Sequence, residues 1–210
     1  MPQTGPAKRK SLYSVHPGVE ATQKWVATLP EKTGRTLDEW IQLVKKSGRR
    51  NEKERREWLK TQHNLGTNSA WWIAERAEGK GTEAGDSEAY LAAAEKYVAA
   101  MFTGAKAALR PIYDQLLQLA LKQGNDVKAC PCQTIVPLYR HHVFAQIKPA
   151  TNTRIDFGFA LKDTKATGRL IDTGGFAKKD RITHRIPITS AADIDEEMKR
   201  WLRKSYEMDA

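Results

Sequence analysis

Cysteine is nearly missing from this sequence: there are two, Cys130 and Cys132, with only Pro131 between them. Residues so close cannot staple distant parts of a chain, which excludes a disulfide-built secreted scaffold and points to a reducing compartment, the cytoplasm. Long apolar runs are missing too. Nothing approaches the ~18 consecutive apolar residues of a membrane-spanning helix, and the opening MPQTGPAKRKSLYSVHPG is basic without an apolar segment behind it. Neither an exported nor a membrane-embedded protein is expected. No repeat of solenoid period and no long low-complexity tract occurs. Signatures of hydrolytic or nucleophilic catalysis are also lacking: there is no nucleophile elbow, no His-Glu-x-x-His and no convincing acid pair. No catalytic residue and no cofactor is assigned on these grounds.

What the chain does have is basic charge. Its 210 residues carry 35 Lys and Arg against 25 Asp and Glu, a formal +10, and a surplus of that size attracts polyanions at long range. Nucleic acid is therefore the first partner expected. Residues 1–80 hold 16 basic against 9 acidic residues, and 81–210 hold 19 against 16. Acidic residues of a linker and of the last helix mask a positive strand-rich region in the second total. Hydrophobic residues make up 40% of the chain, enough for one large core or two small ones.

Four domain segments are expected: a flexible basic tail over 1–16 including Lys8, Arg9 and Lys10, an all-helical module over 17–79, a linker over 80–88, and an α+β domain over 89–210. In the module, Val15, Val19, Thr22, Val26 and Leu29 recur at helical spacing, with Pro30 as the stop. Thr36-Leu37-Asp38-Glu39 is a capping box opening a second helix with Leu37, Trp40, Ile41 and Val44 as its stripe. Asn51 to Glu54 repeats that logic for a third helix carrying Trp58 and Leu59, and a fourth runs from about Thr67 to Glu78. Trp25, Trp40, Trp58, Trp71 and Trp72 supply buried area for so small a unit. The linker GKGTEAGDSE has no apolar periodicity.

Beyond it, Tyr90 to Met101 and Leu109 to Ala120 outline two helices, the second beginning or kinking at Pro111. The period then changes to two. Short strands are expected over 127–130 and 134–139. Val143, Ala145 and Ile147 alternate with Phe144, Gln146 and Lys148. Ile155, Phe157, Phe159 and Leu161 form the next inward row, and 182–189 a further strand with Ile182, Ile186 and Ile188 inward. A closing helix from about Ala191 to Tyr206 covers one face. The fold class is α+β: an N-terminal four-helix module, then an antiparallel sheet packed with helices.

Three constellations can carry function. Asn64-Leu65-Gly66-Thr67-Asn68-Ser69-Ala70 resembles the hairpin of helix-hairpin-helix DNA-binding modules, Gly-apolar-Gly-x-x-x-Ala, with Asn64 in place of the first glycine. There backbone N–H groups at the start of the second helix take a phosphate oxygen. Lys60, Asn64, Gly66, Thr67, Asn68 and Ser69 would be the contacts, with Arg55 and Arg56 widening the surface; an ordinary αα-hairpin uses the same residues. Trp71 and Trp72 are expected to pack rather than reach bases. Second, Gly174 and Gly175 stand beside Lys178, Lys179 and Arg181 in a long connection over 168–181, material for an anion-cradling loop. Tyr139, His141 and Lys148 are expected near it. Third, Phe144, Gln146, Lys148, Arg154 and Arg185 would form a basic sheet face bearing an aromatic. Cys130 and Cys132 are weak metal candidates because zinc motifs separate paired cysteines by two to four residues, and His184, in phase with Ile182 and Ile186, reads as a core histidine.

The stretches KTGRTLDEWIQLVKKSG and REWLKTQHNLGTNSAWWIAERAEG resemble a bacterial family of short uncharacterised helical domains. MFTGAKAALRPIYDQLLQLAL, ACPCQTIVPLYRHHVFAQIKPATNTRIDFGFAL and DTGGFAKKDRITHRIPITS are similar to an uncharacterised α+β family often found C-terminally in bacterial proteins. Together they cover nearly the whole chain and imply a boundary near 80–90, without transferring a catalytic residue. A fainter likeness of the strand-rich half to frataxin-like iron chaperones implies an acidic iron-binding surface, whereas residues 105–185 hold 14 Lys/Arg against 6 Asp/Glu. The leading expectation is a non-catalytic accessory protein binding nucleic acid mainly through phosphates. The alternative is a small-molecule or anion-binding protein, possibly enzymatic, with its site near 168–181.

Overall fold

The computed structural model describes residues 11–210, so the basic run Lys8 to Lys10 lies outside the described residues. The chain divides into two compact units, Val15–Tyr90 and residues 11–14 with Leu91–Ala210.

The first unit is helical. Helix α1 spans Pro17–Thr33, with Pro17 in its first turn, where a missing N–H costs nothing, and with His16 Nδ1 accepting the Gly18 N–H at 2.9 Å. Pro30 does not stop it. The helix gives up that one N–H and continues to Gly34, whose left-handed backbone (φ 76°) ends it as its N–H closes on the Pro30 carbonyl. Helix α2 (Leu37–Lys46) opens on the capping box of Thr36 and Glu39. Helix α3 (Glu52–His63) is capped by Asn51, which accepts from the Glu54 N–H at 2.9 Å. Helix α4 spans Thr67–Ala77. Leu29, Trp40, Val44, Leu59, Ala70, Ile73 and Ala74 form the core, and Trp25, Leu37 and Trp58 pack at its edge. Each fully buried large side chain there contributes roughly 1.5–3 kcal/mol of hydrophobic stabilisation. The segment expected as a linker, 80–88, holds a 3-10 turn (Thr82–Gly85) and the start of helix α5 (Ser87–Met101); the two units divide later, between Tyr90 and Leu91.

In the second unit, helix α6 (Arg110–Leu121) begins at Pro111's turn rather than kinking there. Six strands follow: β1 (Lys128–Ala129), β2 (Val136–Tyr139), β3 (Val143–Pro149), β4 (Ile155–Phe159), β5 (Ile171–Asp172) and β6 (His184–Ile188). They form one antiparallel sheet in the order β1-β2-β3-β4-β6-β5. Ala145 and Ile147, Ile155 to Phe159 in alternation, and His184, Ile186 and Ile188 share the buried face through the pairs Ala145↔Phe159 and Phe157↔Ile186. Helix α6 lies against β1 and β3. Helix α7 (Glu196–Glu207) lies against β3 and β4.

Four expectations change here. Phe144 is not on the outer face: the register slips between Leu138 and Tyr139, Phe144 becomes the extra residue of a bulge, and its ring is fully buried 5.6 Å from Tyr206. Strand β5 falls inside the loop 168–181, paired to β6 by only two residues. Helix α7 starts later than expected because Asp193 holds the Thr189 and Ser190 N–H groups and Asp195 caps the helix. Residues 11–14 are not a free tail. Tyr13 is buried with its hydroxyl 3.2 Å from that of Tyr113, and the Ser14 N–H bonds to the Ala129 carbonyl.

Candidate functional site

The hairpin between α3 and α4 has the backbone that its sequence calls for. Asn64 adopts the left-handed conformation (φ 53°, ψ 34°), and its N–H and that of Leu65 both close on the Leu59 carbonyl. Leu65 is buried, anchoring the turn. Gly66 is the N-cap of α4 and has no side chain to offer, so no side chain caps the first turn. The amides of Thr67, Asn68 and Ser69 lead a helix whose dipole favours an anion at that point.

The flanking side chains divide into two groups. Arg55 is committed to Glu78 at 2.6 Å with both side chains mostly buried, and Arg56 pairs with Glu52 at 3.2 Å. Ser69 accepts the Trp25 indole N–H at 3.1 Å. Lys60 pairs with Glu57 at 3.3 Å on the surface, a contact of small energy that leaves it able to turn to another anion. Thr67 and Asn68 are exposed. Three residues that sequence reasoning missed join this surface. His63 sits edge-on between Trp40 (5.2 Å) and Trp58 (4.5 Å), and burial, with the charge of Arg35, pushes its pKa below the ordinary value. Arg35 lies over the Trp40 ring at 5.1 Å. Trp72 packs on Trp25 at 4.8 Å as expected, but Trp71 is 40% exposed, one helical turn after Thr67 and on the same face of α4. No local pattern marks Arg35, because only folding brings the α1–α2 turn to the end of α3.

The loop 168–181 is organised differently from an amide cradle. The Gly174 N–H donates to Asp172 Oδ1 at 2.7 Å and the Gly175 N–H to Thr173 Oγ1 at 3.3 Å, so both glycine amides are already used. Gly175 is buried, and a Cβ there would meet the Ile182 and Thr183 backbone. Its carbonyl accepts from Lys178 and Asp180, winding the loop into a tight turn. Beside this turn is a cleft of about 490 Å³ lined by Lys162, Phe176, Lys179, Asp180, Arg181 and Thr183, among others. Arg181 is held in place: its Nε donates to the Val143 carbonyl at 2.9 Å and its guanidinium pairs with Asp209. Asp209, almost fully buried, also takes the His142 N–H at 2.8 Å.

Lys179 and Arg181 are thus brought together as expected, and Lys178 lies in the same turn without lining the cleft. Tyr139, His141 and Lys148 do not join them. Tyr139 is half-buried at the end of β2, where burial and the nearby Cys130 and Cys132 thiols push its pKa up to about 12, and His141 is exposed. Lys148 lines a separate cleft of about 530 Å³ with Lys106, whose Nζ is spent on the Pro149 carbonyl at 2.8 Å. The expected basic sheet face is also partly neutralised, since Asp156 pairs with Arg154 and with Arg185, each at 2.9 Å.

Cys130 and Cys132 form no disulfide, and burial pushes Cys130 up to about 12. Among the described residues no group of three or more His, Cys, Asp or Glu side chains can hold a metal ion. His184 is buried on the core face in phase with Ile186 and Ile188, its Nδ1 2.8 Å from Thr183 Oγ1. Ile182 instead crosses to the other face, against Gly158. Among the described residues no helix is long and apolar enough to cross a membrane.

Residues 98–209, more than half of the chain, match the family described as a domain of unknown function (DUF5655). Residues 21–79 match a second, also described as a domain of unknown function (DUF4287). The two matches fall on the strand-rich and helical parts respectively, and neither description names an iron chaperone. No curated protein and no solved structure matches the chain.

Proposed function

Because the chain belongs to the DUF5655 family, whose description names no reaction, we propose its function from its surface: a non-catalytic protein that binds nucleic acid through the phosphate backbone, using the α3–α4 hairpin. The observation that carries this reading is the start of α4, which has no side-chain cap behind a left-handed Asn64. Such a helix start is a ready site for a phosphate oxygen. The exposed Thr67 and Asn68 hydroxyl and amide groups, with Lys60, add donors around it, and Trp71 offers an indole face to an unpaired base. The formal charge of +10 supplies long-range attraction.

This reading puts the protein in the cytoplasm of a bacterial cell, where DNA and RNA are at hand, and leaves the two thiols reduced. The commitment of Arg55 and Arg56 to Glu78 and Glu52 predicts a modest number of phosphate contacts. Counterion release then makes affinity fall with salt, with a slope near −0.9 per phosphate for duplex DNA. Fluorescence anisotropy with labelled duplex DNA, single-stranded DNA and RNA over a range of salt concentrations tests it. Salt-dependent binding with little sequence preference is expected. Absence of binding to all three at low salt would remove the proposal.

A further inference from the structure

The cleft beside the 175–180 turn is independent of the hairpin, and lies within the second unit. Its lining combines three cations, Lys162, Lys179 and Arg181, with one carboxylate, Asp180, and one aromatic, Phe176. Phe176 is 55% exposed, the most exposed aromatic among the described large hydrophobic residues. Lys162 and Lys179 are engaged in no ion pair among the described residues, whereas the arginines of the same segment, Arg169, Arg181 and Arg185, each have an acidic partner.

The backbone is unusual as well. Three non-glycine residues have positive φ among the described residues, and two of them are these lysines, Lys162 at 54° and Lys179 at 60°. Lysine gains nothing from that conformation; it costs on the order of 1–2 kcal/mol against an extended or right-handed one, and glycine or asparagine would relieve it. Two strained lysines on the rim of one cleft are accounted for if their ammonium groups are wanted there. Arg181 is fixed from behind by the Val143 carbonyl and by the buried Asp209, so its position does not depend on a ligand.

From this set we infer a second binding site, for a ribonucleoside phosphate. Lys162 and Lys179 take the phosphate, Arg181 being already paired with Asp209 and serving as a fixed wall of the cleft; Phe176 supplies a stacking face for the base, and Asp180 accepts hydrogen bonds from ribose hydroxyls, as acidic side chains do in dinucleotide folds. The volume of about 490 Å³ lies in the range of small-molecule sites. Inorganic phosphate alone would leave Phe176 idle and would be repelled by Asp180. A purely apolar ligand would leave the lysines idle.

Calorimetric titration of the full chain with the four ribonucleoside 5′-diphosphates, with adenosine and with pyrophosphate tests the assignment. At least one diphosphate is expected to bind about tenfold or more tighter than adenosine or pyrophosphate, since each lacks one set of contacts. Phe176→Ala changes an exposed ring, and Lys179→Asn removes the charge while tolerating a left-handed backbone, so both variants keep the fold. Each is expected to weaken the diphosphate about tenfold. Asp180→Asn is expected to weaken the diphosphate but to strengthen pyrophosphate. A 5′-phosphorylated oligonucleotide binding this cleft in place of the free diphosphate, shown by loss in Lys179→Asn, would make the ligand a nucleic-acid end and overturn the free nucleotide as ligand. No diphosphate binding, or binding unchanged in Phe176→Ala and Lys179→Asn, overturns the site. Binding lost instead on substitution at Gly66 would move the ligand to the hairpin, and failure of nucleic-acid binding there leaves this inference untouched.

Discussion

Replacing Gly66 by aspartate separates stability from binding at the hairpin. Gly66 has an extended backbone (φ −61°, ψ 153°), and nothing lies within 4 Å of where its Cβ would be, so the side chain enters without strain. Its carboxylate can accept the N–H groups of Asn68 or Ser69, giving α4 the cap that it lacks. Asp in place of Gly at an N-cap gains a few tenths of a kcal/mol, and its charge against the helix dipole adds about 0.3–1 kcal/mol. The sum is about 0.5–1.3 kcal/mol, which for a unit of this size raises the thermal midpoint by about 2–10 °C. The same carboxylate occupies the place of the phosphate oxygen. Affinity for nucleic acid is therefore expected to drop about tenfold or more, and the salt slope to become shallower by about 1. Tryptophan fluorescence reports the melt cleanly, because Trp25, Trp40, Trp58, Trp71 and Trp72 belong to Val15–Tyr90 and only Trp201 to the other unit. Anisotropy reports the binding. Gly66→Asn, a neutral cap, should stabilise while costing less affinity. A stabilised Gly66→Asp protein with unchanged affinity and salt slope would show that the start of α4 is not where phosphate binds.

Three further outcomes follow from particular contacts. Asp209→Ala removes a buried carboxylate that holds the His142 N–H and Arg181, and should cost about 2 kcal/mol, part of the Arg181 contact being screened by its exposure; native-state hydrogen exchange of the β3 and β4 amides, with and without the substitution, measures it. His16 and His63 both titrate below their ordinary 6.5, His16 through burial and His63 through burial and Arg35. The unfolded chain therefore takes up protons near 6.5 that the folded state refuses, so stability present above that pH declines as pH falls through it and levels off once the folded histidines titrate. Denaturation midpoints at pH 7.5 and 5.5 should differ in that direction, and less so in His63→Gln. Cys130, with its thiol pushed up to about 12, should react with a thiol reagent at pH 8 only upon unfolding, which a timed labelling experiment in and out of urea checks.

The helical unit was legible in the sequence because its rules are local. Thr36 with Glu39 and Asn51 with Glu54 set the starts of helices within four residues of themselves, whereas the end of α1 was misplaced at Pro30, since a proline in the last turn forfeits one N–H that the helix up to Gly34 can spare. The left-handed Asn64 belongs with them, since asparagine tolerates that conformation wherever a turn asks for it. Strands β3, β4 and β6 were legible from their period of two, but β5 was not, because two residues on an edge carry no period. Phe144 misled the alternation because a bulge inserts one residue without any mark in the residues around it.

The sequence by itself determined an α+β chain with a helical start, a basic surplus, and the turn chemistry of the 64–70 hairpin. The tertiary structure alone decided which charges remain available. Arg55 finds Glu78 across 23 residues, and Arg181 finds Asp209 across 28, while Lys162 and Lys179 are left on the rim of a cleft with Phe176. Charge counts add along a chain, but a charge is neutralised by whatever lies within a few ångströms of it, and that neighbour is chosen by long-range packing.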